Sequence, residues 1–409
     1  MNFFLLLSKN FIAQFLLLLS LPLISRYFIP ESVGALGVFT ATVSIISTIS
    51  TLRLELVLAR KPENIKSNYV FSLFLIFISL LLSLVMSILY QMISKYIGFN
   101  SIEFKWLFLS SWLFSVSNVF LYYYNGKGQF DISGNSKVIR VLAYLLFICF
   151  FIFFDLYKYE YSLIYAFSFS YLIVVFYYIN FFGLSLFLLS GLRRVSFLYI
   201  KKYKNYIKFT FPHHLINVTT SNFPIILLGY YFSLEEVGYY TLAQKLMLTP
   251  LGVISATCSS YLANKVFSKK IKREKKIIIF NNFSTLLFLV GAIVVVFWVI
   301  FGRPLVIIIL GESWEGVYHM AIYMIPWIIL LPLASSMSVF PTLLNQNKKA
   351  LIVEIVSFLL RVSSLAIGVY NDSFNLSIML FSIASLVVML YQYFWVRGMV
   401  IKGIEHDRV

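Results

Sequence analysis

Seven ionisable side chains lie in or beside strongly apolar sequence, and any chemistry of this chain starts from them. Lys245 and Arg361 fall within long apolar runs, with Glu354 seven residues before Arg361. Arg53 and Arg26 stand near the edges of such runs, and His213 and His214 follow Pro212 at the start of another. Cations held in apolar surroundings suit the electrostatic capture of an anionic group. A carboxylate or imidazole there suits a proton or ion relay. Each position also admits a plainer reading. Lys245 could pair structurally or snorkel, and Arg53 and Arg26 could snorkel to an interface. Glu354 and Arg361, about 10 Å apart along a helix axis, fit an ion network as well as a transport role. The histidines fit an interfacial pair.

Other chemistries lack their residues. Cys149 and Cys258 are isolated in apolar runs, so neither a disulfide framework nor a thiolate metal site is expected. No histidine and carboxylate grouping has metal-ligand spacing, and Gly126-Lys127-Gly128 lacks the strand and helix that flank a phosphate loop. No catalytic residue, metal or cofactor is expected.

The elements that must position these residues follow from composition. The 409 residues are 60% hydrophobic and 12% charged, where a soluble domain carries about 25% charged residues. Mean hydropathy is +0.88. The opening residues 1–29 have no basic residue ahead of their apolar stretch, which predicts a first transmembrane helix and not a cleaved leader. Breaking the chain at polar clusters gives twelve apolar segments, at 9–28, 35–56, 69–92, 105–124, 138–154, 162–183, 209–231, 238–260, 277–300, 317–338, 349–369 and 375–396. Each is near the 20 residues or so that a helix needs to cross hydrocarbon.

The net charge of +17 sits between these segments and matches no nucleic-acid-reading motif. With the N-terminus inside, 26 of the 33 Lys and Arg fall in cytoplasmic regions and five in outer ones (Arg26, Lys95, Lys105, Lys158 and Arg303). Short cytoplasmic loops concentrate cations, and one missed helix would invert every later loop. The bias therefore predicts an even helix count and two cytoplasmic termini. The basic connections 184–208 and 261–276 read as interfacial segments held against anionic lipid.

Tyr27-Phe28-Ile29-Pro30-Glu31-Ser32-Val33-Gly34 recurs as Tyr231-Phe232-Ser233-Leu234-Glu235-Glu236-Val237-Gly238, five of eight positions identical at an offset of 204. Each copy closes an odd-numbered segment and opens the next. The expected plan is all-α, with two parallel six-helix halves at 1–200 and 201–409, a recurring transporter design.

The stretch Arg26 to Gly34 followed by Thr51-Leu52-Arg53-Leu54-Glu55-Leu56 resembles the polysaccharide transport family, the O-antigen and exopolysaccharide repeat-unit flippases of the multidrug/oligosaccharidyl-lipid/polysaccharide superfamily. Phe211-Pro212, Glu236 to Lys245, Pro250 and Leu310-Gly311-Glu312-Ser313-Trp314 are similar to its second half. The resemblance implies a V-shaped alternating-access bundle whose helices 1, 2, 7 and 8 line a central cavity. It implies a polyprenyl-diphosphate-linked oligosaccharide, usually undecaprenyl, as substrate, membrane lipids as surroundings, and polymerase and chain-length machinery as possible partners in surface-polysaccharide synthesis. Arg53 matches the family's Thr-Leu-Arg arginine, and Lys245 stands where the eighth helix carries a basic residue. Lysine there would forgo bidentate phosphate geometry.

Two competing functions have distinct signatures. A drug exporter of the same superfamily would present intramembrane carboxylates to cationic substrates, whereas the residues placed here are mostly Lys and Arg. A polysaccharide polymerase or ligase would carry catalytic polar residues on a large outer loop. The longest outer loop expected, about 301–316, holds Arg303, Glu312 and Glu315 but no acid/base pair.

Overall fold

The computed structural model describes residues 2–59, 65–98, 102–159, 161–183, 192–204, 206–267, 271–344 and 346–405. Arg60, Lys61, Lys269, Lys270, Arg408 and the first part of the 184–208 connection, which entered the charge count and the interfacial reading, lie outside them. Among the described residues every regular element is helical.

The chain packs as two compact units, Met1–Gly238 and Tyr239–Val409. In the first, α1 (Asn2–Leu19), α2 (Leu21–Tyr27), α3 (Pro30–Thr51), α4 (Glu55–Leu58), α5 (Ile65–Ile97) and α6 (Phe104–Gly126) are followed by α7 (Phe130–Phe153), α8 (Ser162–Phe182), α9 (Leu192–Lys202) and α10 (Phe211–Tyr231). The helix α11 (Leu234–Val266) begins in the first unit and continues into the second. The second unit adds α12 (Arg273–Leu310), α13 (Gly316–Ile328), α14 (Leu331–Met337), α15 (Phe340–Leu343), α16 (Asn347–Tyr370) and α17 (Phe374–Glu405). Because α10 packs on α3, the packing division falls after α10, while the halves drawn from the repeat count that helix with the second.

Ten helices among the described residues are long and apolar enough to cross a bilayer. The pair Glu312–Ile328 and Leu331–Leu343, bent by 49°, is long and apolar enough together for one broken span or a re-entrant loop. Pro332, next to the break, has no amide hydrogen to continue the ladder. Gly291 of α12 fills the bend, where a side chain would overlap the Ile329 carbonyl. The helix α10 supplies the seventh expected segment, and its first half is unusually polar, with His213, His214, Asn217, Thr219, Thr220, Ser221 and Asn222.

Several expected boundaries are corrected. The second helix begins at Pro30, five residues before the expected start, and stops at Thr51 inside the expected 35–56 span. The expected 301–316 loop is helical to Leu310, and α11 runs to Val266. The apolar windows end at the first polar residues, but helix hydrogen bonding continues into the headgroup region.

Small residues set how the helices approach. On α5, Ser72, Ser79, Ser83, Ser87 and Ser94 are all buried, while Phe77, Leu81, Val85, Ile88 and Met92 are exposed. The serines share one stripe at intervals of seven and four residues, and α5 packs on α3 and α6. Lipid tails are as apolar as leucine, so close packing drives membrane helices together and small residues permit it. The Ser72, Ser79 and Ser83 hydroxyls donate to carbonyls three residues earlier, satisfying themselves locally.

This stripe generates a prediction. Ser83→Leu overpacks it and should destabilise the protein by about 1–3 kcal/mol, lowering the melting temperature in detergent. Leu81→Ser, on the exposed face, should leave the melting temperature nearly unchanged.

Candidate functional site

At the far end of α3 the backbone changes hand. Leu52 and Arg53 adopt φ of 51° and 55°, a left-handed conformation that costs roughly 1–2 kcal/mol per non-glycine residue. The helix stops there and restarts as α4 at Glu55. The turn is held from both sides. Leu54, Val57 and Leu58 are buried in a core with Tyr69, Phe71, Tyr123, Tyr124 and Tyr178. The Arg53 guanidinium donates to Glu55 Oε1 at 3.2 Å.

Glu55 is 1% exposed, and its Oε2 lacks a hydrogen-bond partner, as does Arg53 Nε. The pair thus keeps one donor and one acceptor unused. Tyr122 of α6 and His214 of α10 lie close enough to interact electrostatically with Arg53. The His213 and His214 rings meet edge to face at 5.6 Å. Arg53 and His214, distant in sequence, therefore converge in the first unit. Glu55 and Tyr122 join them and were not anticipated as site residues. Glu55 had one visible signal, an acid inside the run Leu54-Glu55-Leu56.

Arg26 is exposed in the last turn of α2. The 22 residues of α3 rise about 33 Å, so Arg26 and Arg53 lie at opposite ends of that helix and do not hold one ligand group together.

The repeated segments meet each other. A side chain on Gly34 would overlap the Leu234 carbonyl, and one on Gly238 would overlap the Pro30 carbonyl. At the offset of 204, Gly34 corresponds to Gly238 and Pro30 to Leu234. The two contacts are therefore the same contact made twice, as a local two-fold axis requires. Glu31 lies in the first turn of α3, and Glu235 and Glu236 in that of α11, where carboxylates complement the helix dipole. Ser233 caps α11, accepting from the Glu236 amide at 3.2 Å and donating to its carboxylate at 3.0 Å.

In the second unit Lys245 is half-buried and has no hydrogen-bond or ion-pair partner among the described residues. It lies 11 residues beyond Leu234, the first residue of α11, or about 16 Å of rise. That is near the middle of a bilayer core about 30 Å thick. Its neighbour Gln244 is engaged, donating to the Tyr240 hydroxyl at 2.8 Å. Arg361 is different. Its Nε donates to Ser385 Oγ of α17 at 3.0 Å, and Glu354, buried on the same helix, interacts with it electrostatically. Gly368 closes the same seam, with no room for a side chain beside Ser377. Arg361 and Glu354 thus sit in the packed seam between α16 and α17.

The glycine crossing can be tested directly. Gly34→Ala and Gly238→Ala should each destabilise the fold by about 1–3 kcal/mol, read as loss of thermal stability. Gly252→Ala, where a methyl group meets open space, should be neutral or slightly stabilising.

A search among curated proteins finds no match. Solved structures share the fold. The lipid II flippase MurJ in its inward closed conformation aligns at TM-score 0.70 and 15% identity, over 98% of this chain and 90% of that one. An inward-facing multidrug resistance MATE family transporter of the MOP superfamily aligns at TM-score 0.62 and 14% identity, over 98% and 96%. The model for the family described as polysaccharide biosynthesis protein matches residues 23–319. This multi-pass, all-helical membrane protein belongs to that polysaccharide biosynthesis family.

Proposed function

We propose that this chain is a flippase, moving an oligosaccharide repeat unit linked to a polyprenyl diphosphate from the cytoplasmic to the outer leaflet of a bacterial inner membrane by alternating access. The observation that carries the proposal is Lys245, a cation deep within a membrane helix with no partner among the described residues. An isolated charge at that depth costs roughly 2.5–3.5 kcal/mol on insertion scales. Retaining it is reasonable if water and an anionic substrate group reach it. The family's description and the fold shared with a lipid II flippase support this reading. O-antigen or a related surface polysaccharide is the proposed cargo, and undecaprenyl diphosphate the proposed carrier.

In this reading both termini are cytoplasmic and the chain transports its cargo without chemical conversion. Arg53, near His214, would receive the diphosphate at the cytoplasmic end, and Lys245 would hold it at mid-membrane. Arg26 would meet it at the outer end. Glu354 and the histidines would serve any ion coupling. The Gly34 and Gly238 crossing would be among the contacts that part when the outer side opens.

Drug export is a second reading, favoured by the buried carboxylates Glu55 and Glu354. Glu55 is already neutralised by Arg53, which leaves it poorly suited to a cationic drug.

Deleting the gene should accumulate lipid-linked repeat units on the cytoplasmic side. Complementation with Lys245→Gln should fail or fall by about 10–100-fold, the value of a charge-assisted hydrogen bond of 1.5–3 kcal/mol, while Lys245→Arg should retain transport. Unpolymerised units already facing outward would point to a polymerase. A diphosphate with about two negative charges gains roughly 2.3 kcal/mol per charge per 100 mV on leaving an inside-negative compartment. Flipping in potential-clamped proteoliposomes should accelerate with that potential, and a rate indifferent to voltage overturns potential-driven export.

A further inference from the structure

A cavity of about 920 Å³ lies wholly within the second unit, where the α15 end and the start of α16 face the last turns of α17. Phe394 and Trp395 line one part, Gln346, Lys349 and Lys402 another, and Gly398 leaves room between them. Among the described residues no acidic side chain lines it.

Its depth follows from helix geometry. Phe394 stands 20 residues after Phe374, the start of α17, about 30 Å along the axis. That equals the thickness of the hydrocarbon core, about 30 Å. Lys402 stands 28 residues after Phe374, about 42 Å along, at headgroup level. Lys349 is in the first turn of α16, which packs against α17 and ends at Tyr370 beside its start, so both lysines lie at the same membrane end. The cavity therefore runs from an aromatic wall at the hydrocarbon edge to two ammonium groups among the headgroups. Both lysines are exposed, as is Phe394. Aromatic rings favour that boundary, and cations beside it attract anionic lipid.

We infer that this cavity is a binding site for one anionic phospholipid of the surrounding bilayer, its phosphate held by Lys349 and Lys402 and its upper acyl chain laid against Phe394 and Trp395. The cavity has the size of a defined small-molecule pocket, about 300–1,000 Å³. Its charge complements a phosphodiester, and its apolar part complements an acyl chain, which a soluble anion would leave empty. The site is separate from Lys245 and does not depend on the identity of the transported cargo.

Native mass spectrometry of the full chain, released from detergent containing phosphatidylglycerol or phosphatidylcholine, tests this. The protein should retain phosphatidylglycerol preferentially. Lys349→Gln and Lys402→Gln should each weaken that retention about fivefold, the factor for ~1 kcal/mol per cation near an anionic membrane surface. The charge-preserving pair Lys349→Arg and Lys402→Arg should keep it, and Lys348→Gln, outside the cavity lining, should not affect it. Equal retention of the two lipids, or preference unchanged in the glutamine variants, overturns the proposal. So does displacement by a polyprenyl diphosphate, which would make this a cargo site, or by inorganic phosphate alone, which would make it a soluble-anion site.

Discussion

A polar group inside hydrocarbon must find a partner, because no water is there to replace one, and each failure costs several kcal/mol. Most of this structure answers to that constraint. Most of the buried serines and threonines of α3, α5 and α8 donate to carbonyls three or four residues back, as Thr42 does to Val38 at 2.8 Å and Ser168 to Ile164 at 2.7 Å. They pack as small residues and mostly satisfy their own hydroxyls, although Ser87 Oγ of α5 is buried without a hydrogen-bond partner. Where helices meet, a few hydroxyls bridge directly, as between Ser110 and Ser168 and between Ser136 and Tyr178, both at 2.6 Å. Arg53 answers with Glu55 and Arg361 with Ser385. Lys245 has no such partner among the described residues, and this distinguishes it from Arg53 and Arg361.

The same economy governs backbone approach. A glycine costs helix stability by roughly 0.8–1.0 kcal/mol relative to alanine, so one retained at a crossing is explained by what it lets in. Gly34 and Gly238 each admit the other segment's carbonyl, Gly291 of α12 admits the Ile329 carbonyl, and Gly368 of α16 admits the backbone and hydroxyl of Ser377. The helix starts at α3 and α11 are built for these encounters. Pro30 initiates one without needing an amide partner, and the Ser233 cap initiates the other.

Much of this was legible in the sequence. Each of the twelve apolar segments contains a helix, because hydropathy reports a solvent preference that packing does not override. The paired glycines were visible as a repeat, although their mutual contact was not, since similarity does not say which surfaces face each other. The break at Leu52 and Arg53 escaped detection because neither residue favours a left-handed backbone, and burial of the following segment imposes it. The surroundings of Arg361 were hidden for a related reason. An apolar run shows that a charge is surrounded, but only tertiary packing shows that Ser385 is its neighbour. Lys245 was recognisable as anomalous because its segment carries no acid at helical spacing to pair with it.

The two copies share a scaffold but not a chemistry. Counted from the first residues of α3 and α11, Ala41 occupies the position of Lys245, and Thr257 and Ser259 occupy those of Arg53 and Glu55. Ala41 is buried, and an ammonium in its place would face packed side chains. Charge is therefore placed at mid-helix in one copy and at the helix end in the other, while the glycine contact is kept in both. A symmetric crossing can make and break as a unit, because the two halves of the contact are equivalent. Symmetry is kept in the glycine contact and given up in the charges, within one repeated scaffold.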